Sequence, residues 1–98
     1  MKINYNYLPN EFEDTSEIFK EWKKLIASTE YTLGSYVEEW ENQFSKYVKS
    51  KYCIATNNGT DALILSLKAL GLKRGDEVIT VANTFYATVG SIVACGAT

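Results

Sequence analysis

The second half of the sequence alternates between segments that favour a β-strand and segments that favour a buried helix. Residues 52–56 (Tyr-Cys-Ile-Ala-Thr) and 77–81 (Glu-Val-Ile-Thr-Val) are short and β-prone. Each is followed by a mostly apolar helical segment, at residues 61–70 and 84–95. Because strands that alternate with helices are typical of parallel βαβ units, the sequence predicts an α/β fold with the order βαβα.

This βαβα pattern is incomplete. Two parallel strands cannot cover two helices this apolar, and Gly96 ends the second helix where another strand should follow. We therefore expect residues 51–98 to be the truncated start of a larger α/β domain. Residues 1–50 form a separate N-terminal helical segment in this interpretation.

The first half has the period of amphipathic helices. A first helix is expected after residues 14–16, any of which can cap it. A second is expected after Ser35, which lies three residues before Glu38 in the spacing of a capping box. The apolar positions are Ile18, Trp22, Leu25 and Ile26 in the first helix, and Val37, Trp40, Phe44 and Val48 in the second.

Composition excludes several classes of function. The chain has 98 residues and a net charge of −2, which offers no electrostatic attraction to nucleic acid or to an anionic membrane. It has no histidine, which removes Ser-His-Asp and Cys-His nucleophile systems and the commonest transition-metal ligand. Two cysteines without C-x-x-C spacing and a polar N-terminus fit a reducing, cytoplasmic location.

The most informative local segment is the polar break at residues 57–60 (Asn-Asn-Gly-Thr), between a predicted strand and a predicted helix. A helix N-terminus has unpaired N–H groups and a positive dipole end, which together bind phosphate. Gly59 would allow close approach of the backbone, and Thr60 adds a hydroxyl donor. The same residues also fit an ordinary capped turn, which local chemistry alone favours.

Phe85 follows the second predicted strand, where open α/β sheets place their ligands. Its ring could stack on a planar ligand, although a core aromatic is the commoner role. The adjacent carboxylates of Asp76 and Glu77 would point to opposite faces of a strand and cannot share acid–base chemistry. Lysines interleaved with tyrosines at residues 46–52 are explained by a helix C-terminus, since the net charge disfavours nucleic acid.

The order of the motifs is more specific than any one of them. The series is Leu33-Gly34, Val37, Trp40-Glu41, Phe44, Asn58-Gly59-Thr60-Asp61-Ala62-Leu63, Ala69-Leu70-Gly71, Gly75-Asp76-Glu77-Val78-Ile79, Ala82-Asn83-Thr84-Phe85, Ala87-Thr88 and Gly96-Ala97. From about Tyr31 to the end, this series closely resembles the N-terminal part of the DegT/DnrJ/EryC1/StrS family of pyridoxal-phosphate-dependent sugar aminotransferases.

The resemblance implies the large domain of a fold-type I aminotransferase, and a homodimer when full length. It implies amino transfer to a nucleotide-linked keto sugar, with glutamate as the amino donor and pyridoxal 5′-phosphate (PLP) as the cofactor. It also implies site residues, which replace the local preference for a simple turn and a core aromatic. The phosphate contacts map to Gly59 and Thr60, with Asn58; the aromatic that stacks on the pyridine ring maps to Phe85; and the substrate side of the site maps to Thr32, Leu33 and Gly34.

No residue of this chain matches a catalytic residue of the family. The lysine that holds the cofactor, the aspartate that pairs with the pyridine nitrogen and a phosphate-binding serine all map beyond Thr98, so we expect the chain alone to be inactive. No metal site is expected. Two alternatives remain: a PLP-dependent sugar dehydratase of the same fold, in which the lysine is replaced, and a non-catalytic α/β module that binds phosphate.

Overall fold

The computed structural model describes residues 6–98, which form two compact units. One unit extends to Cys53, and the other comprises Ile54–Thr98. The helices of the first unit are α1 (Leu8–Glu11), α2 (Ser16–Ser28) and α3 (Ser35–Val48), and those of the second are α4 (Gly59–Ala69) and α5 (Tyr86–Ala94).

Helix α2 forms where the amphipathic pattern predicts it. It begins after Asp14, whose carboxylate accepts a hydrogen bond of 2.9 Å from the Ser16 amide. Hydrogen bonds from Ser16 hold the pKa of Asp14 below its usual value. Thr15 is the N-cap residue, but its side chain makes no capping hydrogen bond. Of the three expected caps, Asp14 therefore supplies the side-chain oxygen.

The apolar faces of α2 and α3 remain largely uncovered within the described residues. Trp22 and Ile26 of α2 are each 59% exposed, and Trp40 and Phe44 of α3 are also exposed. A hydrogen bond of 2.9 Å from the Tyr36 hydroxyl to the Glu21 carboxylate links the two helices. Contiguous exposed apolar side chains are typical of surfaces that contact other protein.

Helices α4 and α5 pack against each other in the second unit. The buried side chains here are small or aliphatic: Ala87, Ser91, Ile92 and Ala97. The hydroxyl of Ser91 is fully buried and donates to the Ala87 carbonyl at 2.6 Å, so its polar group is satisfied. Both helices were expected from the sequence, and α4 begins two residues earlier than predicted, at Gly59.

The structure assigns no strand within residues 6–98, so the two predicted strands are not confirmed. Segments 52–56 and 77–81 are non-helical, and Ile54 and Ile79 are 80% and 99% exposed. A strand is defined by hydrogen bonds to a neighbour, and one pair of such bonds is present: the Thr98 amide donates to Asp76 O at 2.9 Å and the Val78 amide to Thr98 O at 2.8 Å. This is the pattern of a single parallel rung around Glu77.

No helix in the described part of the chain is long and apolar enough to cross a membrane. The same residues contain no group of three or more His, Cys, Asp or Glu side chains placed to hold a metal ion.

Candidate functional site

The N-terminus of α4 is capped by a reciprocal pair of hydrogen bonds. The side-chain oxygen of Asn58 accepts from the Asp61 amide at 2.9 Å, and the side-chain nitrogen of Asn58 donates to the Asp61 carboxylate at 2.9 Å. The cap therefore uses the third amide of the helix. The amides of Gly59 and Thr60 have no hydrogen-bond acceptor among the described residues, and they remain available to a ligand.

A pocket of about 370 Å³ lies at this helix N-terminus. Its lining consists of Asn58, Gly59, Thr60, Leu63, Phe85, Ala87 and Thr88. The structure therefore brings together the four residues that the resemblance maps to the cofactor. Phe85 is 73% exposed within the described residues.

Two helices begin at this pocket. Phe85 is the N-cap residue of α5, and Ala87 and Thr88 belong to the first turn of that helix. The positive ends of two helix dipoles, those of α4 and α5, therefore face one cavity. No charged side chain lines it, so a bound anion would be held by amides and hydroxyls.

The donors and the exposed ring at this pocket are of the kinds that bind a phosphate group and a planar ring. A Cβ built on Gly59 would meet no atom within 4 Å, which shows open space beside that backbone. The free amides of Gly59 and Thr60 and the Thr60 hydroxyl can donate to phosphate oxygens. Phe85 offers an exposed aromatic face for stacking.

The loop with Thr32, Leu33 and Gly34 belongs to the first unit, so the structure does not group these residues with the pocket. Leu33 has a left-handed backbone (φ +50°) and is 86% exposed. Gly34 is the N-cap residue of α3. This left-handed conformation is uncommon for residues other than glycine.

The predicted capping box at Ser35 and Glu38 is wrong. The helix begins at Ser35 itself, so the N-cap position falls on Gly34, which has no side chain to accept a bond. Glu30 takes the role instead: its carboxylate accepts from the Ser35 hydroxyl at 2.7 Å and from the Ser35 amide at 3.1 Å. These bonds hold the pKa of Glu30 below its usual value.

Sequence reasoning missed three contributions to these two sites. Asp61 completes the cap of α4, and the Asn-x-x-Asp spacing of residues 58–61 is a signal that could have revealed it. Thr88 lines the pocket because it lies in the first turn of α5, which begins at Tyr86 and not at residue 84 as the sequence predicts. Glu30 has no local sequence signal, since its capping bonds cross a loop whose turns depend on two left-handed residues.

Comparison with known proteins places these features in a family. The model of the DegT/DnrJ/EryC1/StrS aminotransferase family matches residues 13–98. The 3-oxo-glucose-6-phosphate:glutamate aminotransferase of Bacillus subtilis is 39% identical over 86% of this chain and 19% of its own length. The dTDP-3-amino-3,6-dideoxy-alpha-D-galactopyranose transaminase of Aneurinibacillus thermoaerophilus is 42% identical over 84% of this chain and 23% of its own length.

Solved structures agree with the sequence comparison. The ntda protein of Bacillus subtilis, with bound cofactor PMP, superposes with a TM-score of 0.81 at 36% identity, over 99% of this chain and 23% of that one. The E. coli GDP-4-keto-6-deoxy-D-mannose-3-dehydratase, with bound hydrated PLP, superposes with a TM-score of 0.75 at 32% identity, over 81% and 22%. The chain spans about a fifth of the length of the curated relatives it matches.

Proposed function

Because the chain belongs to the DegT/DnrJ/EryC1/StrS aminotransferase family, we propose that it is the N-terminal part of a PLP-dependent aminotransferase that acts on a nucleotide-linked keto sugar, with glutamate as the amino donor. The observation that carries this proposal is the pocket at the start of α4, where two free amides and an exposed aromatic ring lie together. Two relatives support parts of this proposal by their names: the A. thermoaerophilus protein is a dTDP-sugar transaminase, and the B. subtilis protein is named with glutamate as a reactant.

In this proposal, the cofactor phosphate binds at the N-terminus of α4. The Gly59 and Thr60 amides and the Thr60 hydroxyl donate to its oxygens, while the dipoles of α4 and α5 favour its negative charge. Asn58 would support the phosphate site indirectly, because its side-chain amide is hydrogen-bonded to Asp61 and holds the first turn of α4 in place. The phosphate would thus be bound without a basic side chain from this unit.

Phe85 supplies a face for the planar ring of PLP. When bound, PLP withdraws electrons from the carbon that carries the amino group. The stacked ring of Phe85 would fix the orientation of the cofactor and exclude water from one side of it. The lysine that holds the cofactor maps beyond Thr98 in the family, so in this proposal residues 1–98 bind and orient but perform no bond-making step.

The proposal also covers assembly. We propose that the complete protein is a homodimer, as the family resemblance implies. The exposed apolar faces of α2 and α3 support this, although the remainder of the same chain could cover them as well. Measurement of the mass of the complete protein in solution tests this part alone.

One different reaction has specific support. The E. coli dehydratase resembles this chain at 32% identity and binds PLP without being an aminotransferase. Within the described residues the two activities would use the same phosphate and ring contacts, so the pocket does not favour either. The difference would lie in the residue at the lysine position, which the family places after Thr98.

The decisive experiment is an isotope transfer with the complete protein. We would incubate it with PLP, amine-labelled [15N]glutamate and a nucleotide-linked keto sugar, and detect the label in the sugar by mass spectrometry. A labelled amino sugar supports the proposal, and a deoxygenated keto sugar without label identifies the dehydratase. A protein that binds no PLP contradicts both. As a control, residues 1–98 alone should transfer no label.

A further inference from the structure

The backbone of Phe85 is held by hydrogen bonds at the start of α5. Phe85 is the N-cap residue of that helix, and its carbonyl oxygen accepts from the Thr88 amide at 3.0 Å. The hydroxyls of Thr84 and Thr88 are hydrogen-bonded to each other at 2.9 Å, so the residue before Phe85 is tied to the first turn of the helix. With its backbone held on both sides, Phe85 can redirect its ring only by rotation about its side-chain torsions.

The ring of Phe85 contacts the ring of Tyr86. The two ring centroids are 5.7 Å apart and the ring planes meet at 73°. This edge-to-face arrangement is one of the favoured geometries of an aromatic pair, and it restricts the rotation of both rings. Among the described residues, Phe85 lines the pocket at the start of α4 and Tyr86 does not. Tyr86 can therefore affect that pocket through the orientation of Phe85.

A glycine one turn further along α5 makes room for the Tyr86 ring. A Cβ built on Gly90 would have three ring atoms of Tyr86 as its nearest neighbours, at 3.4–4.0 Å. Gly90 lies inside the helix and has no left-handed backbone, so its conformation does not require glycine, which is less favourable there than alanine. The Tyr86 ring thus lies along the helix over Gly90, where a methyl group would still fit and a larger side chain would displace the ring.

We propose that Tyr86 is a positioning residue for the cofactor: held over Gly90, it keeps the ring of Phe85 in the orientation that stacks on the pyridine ring of PLP. This inference rests on the proposed function, which gives Phe85 its stacking role. Without Tyr86, the Phe85 ring would sample more orientations. Binding of PLP would then have to order that ring, which lowers affinity.

The test uses the complete protein and measures the dissociation constant of PLP by titration of the apoprotein. Visible circular dichroism of the PLP-saturated protein adds a second readout, because it depends on how the protein orients the cofactor ring. Tyr86→Ala removes the ring, whereas Tyr86→Phe removes the hydroxyl alone. Tyr47→Ala is the matched control, since it removes a tyrosine ring that contacts Phe44 in α3 with a centroid distance of 6.4 Å.

The expected pattern separates positioning from a general loss of structure. Tyr86→Ala should weaken PLP binding about three- to tenfold and reduce the visible circular dichroism per bound PLP. Tyr86→Phe and Tyr47→Ala should stay within about twofold of wild type, because both leave the ring pair intact. Gly90→Ala should also leave PLP affinity unchanged, whereas Gly90→Val should weaken it by displacing the Tyr86 ring, although valine is the better helix former than glycine.

A double variant tests whether Tyr86 acts through Phe85. In the Phe85→Leu background, Tyr86→Ala should change PLP affinity by less than about twofold, because the ring that it orients is already absent. An equal loss in both backgrounds would overturn the inference, as would wild-type affinity in Tyr86→Ala beside a weakened Phe85→Leu. If Tyr86→Ala does not fold, unchanged affinity in Gly90→Val contradicts the inference. Wild-type PLP affinity in Phe85→Leu would refute the stacking role in the proposed function, and the inference with it.

Discussion

Two glycines that begin helices should respond in opposite ways to the same substitution. Gly34 precedes α3 and Gly59 is the first residue of α4, and neither has a left-handed backbone. Conformation therefore does not require glycine at either position. Only the space around the missing Cβ differs, so Gly34→Ala and Gly59→Ala isolate a steric effect.

The distances from each new Cβ to its neighbours give the expected change in stability. At Gly34 the new Cβ would be 2.8 Å from Glu30 O, a backbone atom that cannot move without opening the loop. Overpacking of this kind costs about 1–3 kcal/mol. At Gly59 the new Cβ meets nothing within 4 Å. Alanine there reduces the entropy of the unfolded chain and should stabilise the helix start by about 0.4–1 kcal/mol.

Native-state amide exchange in the complete protein can measure both effects locally. The Val37 amide donates to Gly34 O at 3.0 Å, and the Ala62 amide donates to Asn58 O at 3.1 Å, so each reports on one first turn. We expect the Val37 amide to exchange about tenfold faster in Gly34→Ala, which corresponds to about 1.4 kcal/mol. The Ala62 amide should exchange at the wild-type rate or more slowly in Gly59→Ala.

The Gly59 variant should also lose affinity for PLP, because its new methyl group borders the pocket that the proposal assigns to the phosphate. Higher stability would then accompany weaker cofactor binding in one protein. The steric argument would be refuted if the Val37 amide exchanged at the wild-type rate or more slowly in Gly34→Ala. It would also be refuted if the Ala62 amide exchanged as much faster in Gly59→Ala as the Val37 amide does in Gly34→Ala.

Three further predictions follow from the described contacts. Asn58→Ala should destabilise the start of α4 by about 1 kcal/mol in the Ala62 exchange experiment, and the double variant with Asp61→Ala should add little, because the two side chains form one cap. A carbon-detected NMR titration of Glu30 should give a pKa below the usual value of about 4.3. Because the folded-state pKa is lowered, the bonds from Ser35 to Glu30 stabilise the start of α3 at higher pH, and this stabilisation is lost as the pH falls through that lowered pKa. Residues 1–98 alone should self-associate in light scattering, since apolar side chains such as Ile79 are exposed, and a monodisperse monomer with a cooperative melt would contradict this.

Four of the five described helices were predictable because local patterns determine them, whereas the short helix α1 was not expected from the sequence. Amphipathic spacing placed α2 and α3, and continuous apolar runs placed α4 and α5. The polar break at residues 57–60 and the position of Phe85 were also visible, since polar and aromatic residues interrupt the apolar segments there. Their meeting in one pocket followed from packing between α4 and α5, which the resemblance implied but the spacing alone did not.

The strands could not be confirmed because strand pairing is not a local property. The β-prone segment at 77–81 forms only the rung between Glu77 and Thr98 in the described residues. The prediction of the cap of α3 was wrong for a related reason. The carboxylate that accepts from the Ser35 amide belongs to Glu30, which the loop through Leu33 brings to the start of the helix. Neither contact leaves a periodic trace in the sequence.

The central claim is that the N-terminus of α4 holds the phosphate of PLP, with Phe85 against the cofactor ring. A crystal structure of the complete protein with bound PLP tests this most directly. The account predicts phosphate oxygens within hydrogen-bond distance of the Gly59 and Thr60 amides and a ring stacked on Phe85. A phosphate bound elsewhere, with the α4 amides hydrogen-bonded to protein or water, would contradict it.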